Sequence, residues 1–334
     1  MQLFTQRAAC AARSFFAPCF DVSWGRVRRA AAAPVLALAL ALALALPVSP
    51  AAARTLRMGI LPVLDTLPLQ VAARDGLFAA HGLDVELVPF ASAMERDTAM
   101  QSGRLDGYFG DMIATFLLIQ AGVPMRMVAV SYRSEPGQPM FGLLRAPAGQ
   151  GGAAADVPDR PLRTGISKNS IMEYLLGRMA AAGPAAELRF EPTEVRKIPI
   201  RLQMLLTGQL DVALLPEPLA SLARARGARP VTTDEKLGMV LTVLCLHESV
   251  RDDVAAFVAA YDDAVRRIAA DPDGQRELMV AACRVPPDLA ADFPVYRYPL
   301  SAVPGEADVA PVQDWMLARG LLRKPLPYGA LVAR

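Results

Sequence analysis

From Thr55 onward the chain repeats one pattern: a short apolar run, a turn, then a stretch with the three-to-four-residue periodicity of an amphipathic helix. TLRMGIL (Thr55–Leu61) predicts a strand, and Leu67–Ala80 a helix punctuated at Asp75-Gly76. LDVELVPF (Leu83–Phe90) alternates with period two, as a half-buried strand does. Ser92, followed three residues later by Glu95, predicts a capping box opening the helix SAMERDTAMQSG, which Gly103 closes. A strand at Leu105–Gly110, an N-cap at Asp111, the helix MIATFLLIQAG and a strand at Met125–Tyr132 complete the first series. The rhythm breaks at Pro136–Arg160, where Gly, Ala, Pro and Gln crowd together, and then restarts. PLRTGIS, LRFEPTEV, LDVALLPEP and ARPVTTD are the strands of this second series, separated by the helical stretches NSIMEYLLGRMAAAG, PIRLQMLLTGQ and PLASLARARG. Gly238–Leu246 predicts a strand returning to the first series, with helices near Val250–Ala270, Gly274–Cys283 and Glu306–Arg319 after it.

Strands alternating with helices at this spacing place the chain in the α/β class, with two lobes that are each a mainly parallel sheet flanked by helices. Taking Pro136–Arg160 as the crossover, the expected first lobe is 54–145 plus 238–334, with 146–237 inserted as the second. No short-period repeat of a solenoid is present.

The segment before Thr55 follows a different rule. Ala30–Leu46 is an uncharged Ala/Leu run preceded by Arg26, Arg28 and Arg29 and followed by PVSPAAA. Basic, apolar, then small-residue is the order of a secretory signal, with cleavage expected after Ala53. The alternative is an uncleaved anchor, because about 17 apolar residues approach the minimum for spanning a bilayer. The residues before the apolar run form either a long n-region or the product of an upstream start. The whole chain has 334 residues, 53% hydrophobic and 20% charged, with a net charge of +2, a composition that excludes a disordered chain and a polybasic nucleic-acid binder. Without residues 1–53 the rest holds 30 basic and 32 acidic side chains, a net charge of −2. A near-neutral, exported, monomeric protein is expected. Its remaining cysteines, Cys245 and Cys283, form either a disulfide or two separately buried thiols.

Ligands of open α/β sheets bind beyond the carboxyl ends of the strands, where helix N-termini present free N–H groups. Those positions are Leu61–Thr66, Phe90–Ser92, Gly110–Met112 and Ser131–Arg133 in the first lobe, and Ser167–Ser170 and Pro216–Pro218 in the second. The candidate ligand-binding residues within them are Asp65, Thr66, Ser92, Asp111, Met112, Tyr132, Lys168, Asn169, Ser170 and Glu217. Lys168, one of four lysines, either joins the adjacent hydroxyls and amide in holding an anion or points to solvent while Asn169 or Ser170 caps the helix. Asp65 and Asp111 are either ligand acceptors or helix caps, and Glu217, between two prolines, is either a ligand or a hinge contact. No GxSxG, HExxH or GxxxxGK[ST] motif occurs, and His81 and His247 stand apart from any Cys/His spacing. No cofactor, metal or catalytic residue is therefore expected.

LPLQVAARDGLFAAHGLDVELVPF (Leu67–Phe90), the segments Ser92–Met112 and Pro199–Gly227, and VQDWMLARGLL (Val312–Leu322) together resemble the periplasmic solute-binding proteins of ABC importers. The resemblance is to the branch that includes sulfonate, taurine and nitrate binding proteins and the NMT1-like, thiamine-precursor binding proteins. It implies a two-lobed type II periplasmic-binding fold that closes on a solute and delivers it to a membrane permease with an ATPase. Sulfonate, nitrate, a carboxylate or a thiamine-precursor pyrimidine are the solutes it suggests. No aromatic pair for clamping a pyrimidine is evident, Tyr132 and Tyr174 being the nearest candidates, and Lys168 tilts the expectation towards an anion. Enzymes on the same fold, or an exported sensory module, are the alternatives.

Overall fold

The computed structural model describes residues 54–149, 159–181 and 183–333. Residues 1–53, where an export signal is expected, and the GGAAADVP part of the crossover lie outside the described residues. Thr55–His247 contributes ten strands in two five-stranded sheets. The first sheet is built by β1 (Thr55–Ile60), β2 (Asp84–Pro89), β3 (Gly107–Gly110) and β4 (Met125–Arg133), in the order β2-β1-β3-β10-β4. The second contains β5 (Phe141–Arg145), β6 (Leu162–Ile166), β7 (Phe190–Glu194), β8 (Val212–Pro216) and β9 (Arg229–Thr233), in the order β7-β6-β8-β5-β9. β10 (Val240–His247) returns the chain to the first sheet, as the apolar run at Gly238–Leu246 predicts.

In each sheet one strand is antiparallel to its neighbours, and it is the strand that has crossed from the other lobe: β10 between β3 and β4, β5 between β8 and β9. This corrects the boundary expected at residue 145. Phe141–Arg145, assigned to the first lobe from sequence, pairs with β8 and β9 of the second. The physical reason is that five buried residues flanked by Gly and Pro are too short to stand out from a loop-like composition. Central strands β3, β5 and β8 are buried throughout, whereas edge strands β2 and β7 alternate, which is why only the edges show period two.

Helices cover the sheets: α1 (Leu67–Arg74), α2 (Leu77–Ala80), α3 (Ala93–Gln101), α4 (Met112–Gln120), α5 (Ile171–Ala180), α6 (Ile198–Leu206) and α7 (Leu219–Ala225), followed by α8 (Val254–Ala270), α9 (Arg276–Ala282), α10 (Glu306–Ala318) and α11 (Tyr328–Leu331). Gly76, at φ 65°, divides α1 from α2 as the Asp-Gly pair predicts. None of the described helices is long and apolar enough to cross a membrane.

The two lobes also repeat the same internal wiring. In the first, Asp106 accepts from Arg57 N and Nε, and Arg96 donates Nη1 to Phe109 O. In the second, Asp211 accepts from Arg163 N and Nε, and Arg201 donates Nη1 to Leu214 O. A Cβ on Gly59 would lie 2.6 Å from Leu105 Cδ1 and 3.1 Å from Arg96 Cγ; one on Gly165 would lie 2.4 Å from Leu210 Cδ1 and 3.0 Å from Arg201 Cγ. Arg-x-Gly-Ile on β1 and β6, an arginine in α3 and α6, and Leu-Asp just before β3 and β8 thus form one packing unit used twice.

Candidate functional site

The carboxyl ends of β1, β3, β6 and β8 converge on one cleft between the lobes. Leu61, Val63 and Asp65 follow β1, Gly110 and Asp111 end β3, Ser167 and Ser170 follow β6, and Pro216 ends β8. Three helix starts are capped here by side chains: Ser92 Oγ accepts from Glu95 N (3.3 Å), Asp111 Oδ1 from Ala114 N (3.0 Å) and Ser170 Oγ from Met172 N (3.2 Å). Glu95 completes the first cap by accepting from Ala91 N (3.3 Å). Phe109, Phe141, Ile171 and Ile198 supply apolar wall, and Thr242 reaches the cleft from β10.

Of the ten residues singled out in the sequence, Asp65, Asp111 and Ser170 line this cleft. Ser92, Lys168 and Asn169 stand at an adjoining groove between the start of α3 and the β6–α5 loop. Lys168 and Asn169 are exposed, and their backbone N–H groups already donate to Glu194 Oε2 and Glu173 Oε2, both at 2.8 Å. The loop's amides are thus held by protein carboxylates, which removes the backbone half of the anion site suggested by the SKNS motif. Thr66 donates to Val63 O (2.7 Å) within its own turn, and Met112 is buried. Glu217 is buried and accepts from Ser221 N (2.9 Å) and Arg224 Nη2 (3.0 Å), so its carboxylate is spent on the start of α7. Burial pushes its pKa up, against the opposing pull of Arg224.

Tyr132 lies at the crossover. Its hydroxyl donates to Gln138 O (2.8 Å), and its ring packs against Tyr296 and Tyr298 at 6.3 and 6.2 Å. Asp234 Oδ1 ties the other crossing segment by accepting from Met140 N (2.8 Å) and Phe141 N (2.7 Å). The two crossing segments are fixed to each other in this way. Tyr174 meets Trp315 edge-on at 5.3 Å. Cys245 and Cys283 are free and buried, the second of the two readings left open by the sequence. No group of His, Cys, Asp or Glu side chains suited to a metal ion occurs among the described residues.

Residues 49–283 match the NMT1-like family. The chain belongs to the NMT1-like family. No curated protein shows significant sequence similarity to it. Its fold is that of several solved binding proteins. A ligand-binding component of an ABC-type import system from Staphylococcus aureus, solved with zinc bound, is 18% identical at a TM-score of 0.66, covering 83% of this chain and 96% of that one. The aliphatic sulphonate binding protein SsuA from Escherichia coli is 16% identical at 0.65, covering 84% and 92%. The nitrate-binding protein NrtA from Synechocystis PCC 6803 is 14% identical at 0.58, also covering 84% and 92%. The type II periplasmic-binding fold expected from the motif resemblance is thereby established.

Charge in the cleft of this NMT1-like protein is unevenly compensated. Arg96, buried, donates Nε (3.0 Å) and Nη2 (2.7 Å) to Asp97 Oδ1 and Nη1 to Phe109 O (2.6 Å), and stacks 4.4 Å over Tyr108. Arg196 donates Nε to Glu194 Oε1 (2.6 Å) and Nη1 to Met94 Sδ (2.9 Å), a contact that crosses between lobes. Met94 is exposed. Asp111 is pushed up by burial, with the Ala114 N–H and Arg96 opposing. Asp65 forms no ion pair among the described residues, its polar neighbours being the Thr242 hydroxyl and its own backbone N–H. It is 2% exposed, its Oδ2 is buried without a hydrogen bond, and burial raises its pKa from 3.8 to about 7, the nearby Thr242 hydroxyl opposing only in part. Thr242 Oγ1 is likewise buried without a hydrogen-bonding partner.

Arg96, Phe141, Arg196, Ile198 and Thr242 were not singled out from sequence. Phe141 and Thr242 lie on the two crossing strands, whose position in the cleft depends on long-range pairing that no local pattern encodes. For Arg96 a signal did exist: an arginine inside an amphipathic helix, repeated at Arg201 at the same spacing before Leu-Asp.

Proposed function

We propose that this protein is the substrate-binding component of an ABC importer, exported to the periplasm, which captures a small solute between its lobes and presents it to a membrane permease with its ATPase. The observation that carries this reading is the cleft itself. Strand carboxyl ends and helix starts from both lobes meet there, around two buried polar groups, Asp65 Oδ2 and Thr242 Oγ1, that have each other as neighbours and make no well-formed hydrogen bond. A buried polar atom without a partner is costly, and a ligand group that pairs with it recovers that cost.

Binding without chemical conversion fits the side chains present. Cys245 is buried and its thiol is pushed up to about 12 by burial, and the Cys283 thiol is raised for the same reason, so neither is a ready nucleophile. His81 is engaged with Asp263 (2.8 Å) and His247 with Ser249, both outside the cleft.

Thermal-shift screening of the purified protein against small solutes tests the reading. A true ligand stabilises the folded state by roughly 2.7 kcal/mol at a hundredfold excess over Kd and is recovered chemically unchanged. Turnover of the solute that binds would contradict it.

A further inference from the structure

The resemblance in sequence points towards anions, but the cleft is built for the opposite charge. The cations at its wall, Arg96 and Arg196, are each paired with a carboxylate, Asp97 and Glu194, whereas Asp65 forms no ion pair among the described residues. We propose, building on the solute-binding reading, that the ligand is a small organic cation, an ammonium or amidinium, whose charged nitrogen is held by Asp65 with Thr242 as the second polar contact.

Three observations converge. The Asp65 carboxylate is almost wholly buried at the cleft with the Thr242 hydroxyl as its polar side-chain neighbour, and neither Asp65 Oδ2 nor Thr242 Oγ1 makes a well-formed hydrogen bond. Tyr132, Tyr261, Tyr298 and Cys283, from four different segments, all lie within electrostatic reach of Asp65, and each is a neutral acid raised by burial. Across the cleft, Asp111 adds a second acid and Arg96 is the basic group, already bound to Asp97. A nitrate, sulfonate or carboxylate placed here would meet Asp65 without a free cation to offset it, and a cation would supply the missing charge. Phe109 and Phe141 in the wall suit the organic part of such a ligand. Asp65 and Asp111 do not form part of any group of three or more His, Cys, Asp or Glu side chains suited to a metal ion among the described residues.

The test is isothermal titration of the full purified chain with guanidinium, choline and 4-aminopyridine against nitrate, methanesulfonate and acetate. It is carried out on the wild type, Asp65→Asn and Thr242→Val, with circular dichroism and a melting curve to confirm folding. We expect at least one cation to bind the wild type, more than tenfold loss in Asp65→Asn with the fold intact, and a smaller loss in Thr242→Val. Cation affinity should rise about tenfold per pH unit up to pH 7 and then level, because the ligand requires Asp65 ionised. Binding of an anion, with affinity equal or tighter in Asp65→Asn, would overturn the cation assignment while leaving the solute-binding reading intact. Failure of all six probes to bind any of the three proteins would overturn the assignment, and a broader solute library that also failed would remove the solute-binding reading beneath it.

Discussion

Asp65 and Lys168 illustrate how differently two polar residues in strand-end loops are placed. Lys168 was the more conspicuous in sequence, as a rare lysine among hydroxyls, yet its side chain stands in solvent and its amide serves Glu194. Asp65 was read as a cap or an acceptor, and the Leu64–Thr66 turn has no side-chain cap bond; the carboxylate is instead buried at the cleft. Sequence could not rank the two, because burial in a loop is decided by what packs over it, here Tyr298 donating to Leu64 O (2.7 Å) and Ser131 Oγ to Asp65 O (2.8 Å). The stability consequence has a definite sign. Below about pH 4 Asp65 is protonated in both folded and unfolded chains and carries no penalty. Between 3.8 and about 7 the unfolded chain loses the proton that the folded one keeps, so stability falls as pH rises. Above pH 7 the penalty is constant, on the order of 4 kcal/mol. Asp65→Asn should therefore melt several degrees above the wild type at pH 8, with the difference vanishing near pH 4, as read by calorimetry. A variant that gains stability while losing ligand affinity is the expected signature of a binding group held against its own solvation. Lys168→Ala, by contrast, should change both stability and affinity by less than about 0.5 kcal/mol, measured by melting and titration.

Among the elements, the antiparallel crossing strands carry the connection between lobes, and β3–β10 is a tight one. A Cβ on Gly107 would lie 2.6 Å from Cys245 O on β10, a backbone atom that cannot step aside, as well as 2.5 Å from Leu246 Cδ2. Gly107→Ala should cost about 1–3 kcal/mol and lower Tm in a denaturation experiment, whereas Gly103→Ala tests only the left-handed φ of 70° at the end of α3, with nothing within 4 Å. Most strands and helices were legible from periodicity, turn residues and caps, because each is set by neighbours in sequence. β5 was not: its five residues gain their meaning only between β8 and β9. The duplicated Arg, Gly and Leu-Asp unit was present in the sequence at matching spacings, but its function as a packing motif emerges only when both copies make the same bonds.

At the scale of the whole molecule, two lobes joined by paired crossing segments permit a hinge, and several contacts bridge the lobes away from the pivot. Tyr174 of α5 meets Trp315 of α10, Arg319 lies 4.8 Å over the same indole and bonds to Glu173 (2.9 Å), and Arg196 reaches Met94. Trp315 is the sole tryptophan from Thr55 onward. Its emission should therefore respond to ligand if lobe closure accompanies binding, and the response should be lost in Tyr174→Leu with affinity retained. The central claim, that the interlobe cleft holds a solute, is tested most directly by native mass spectrometry of the protein exposed to a small-molecule extract. It is compared with Ile198→Trp, which fills the cleft wall without adding charge. A single adduct of small-molecule mass on the wild type, absent from the folded variant, is the predicted result; an adduct retained by Ile198→Trp would contradict the account.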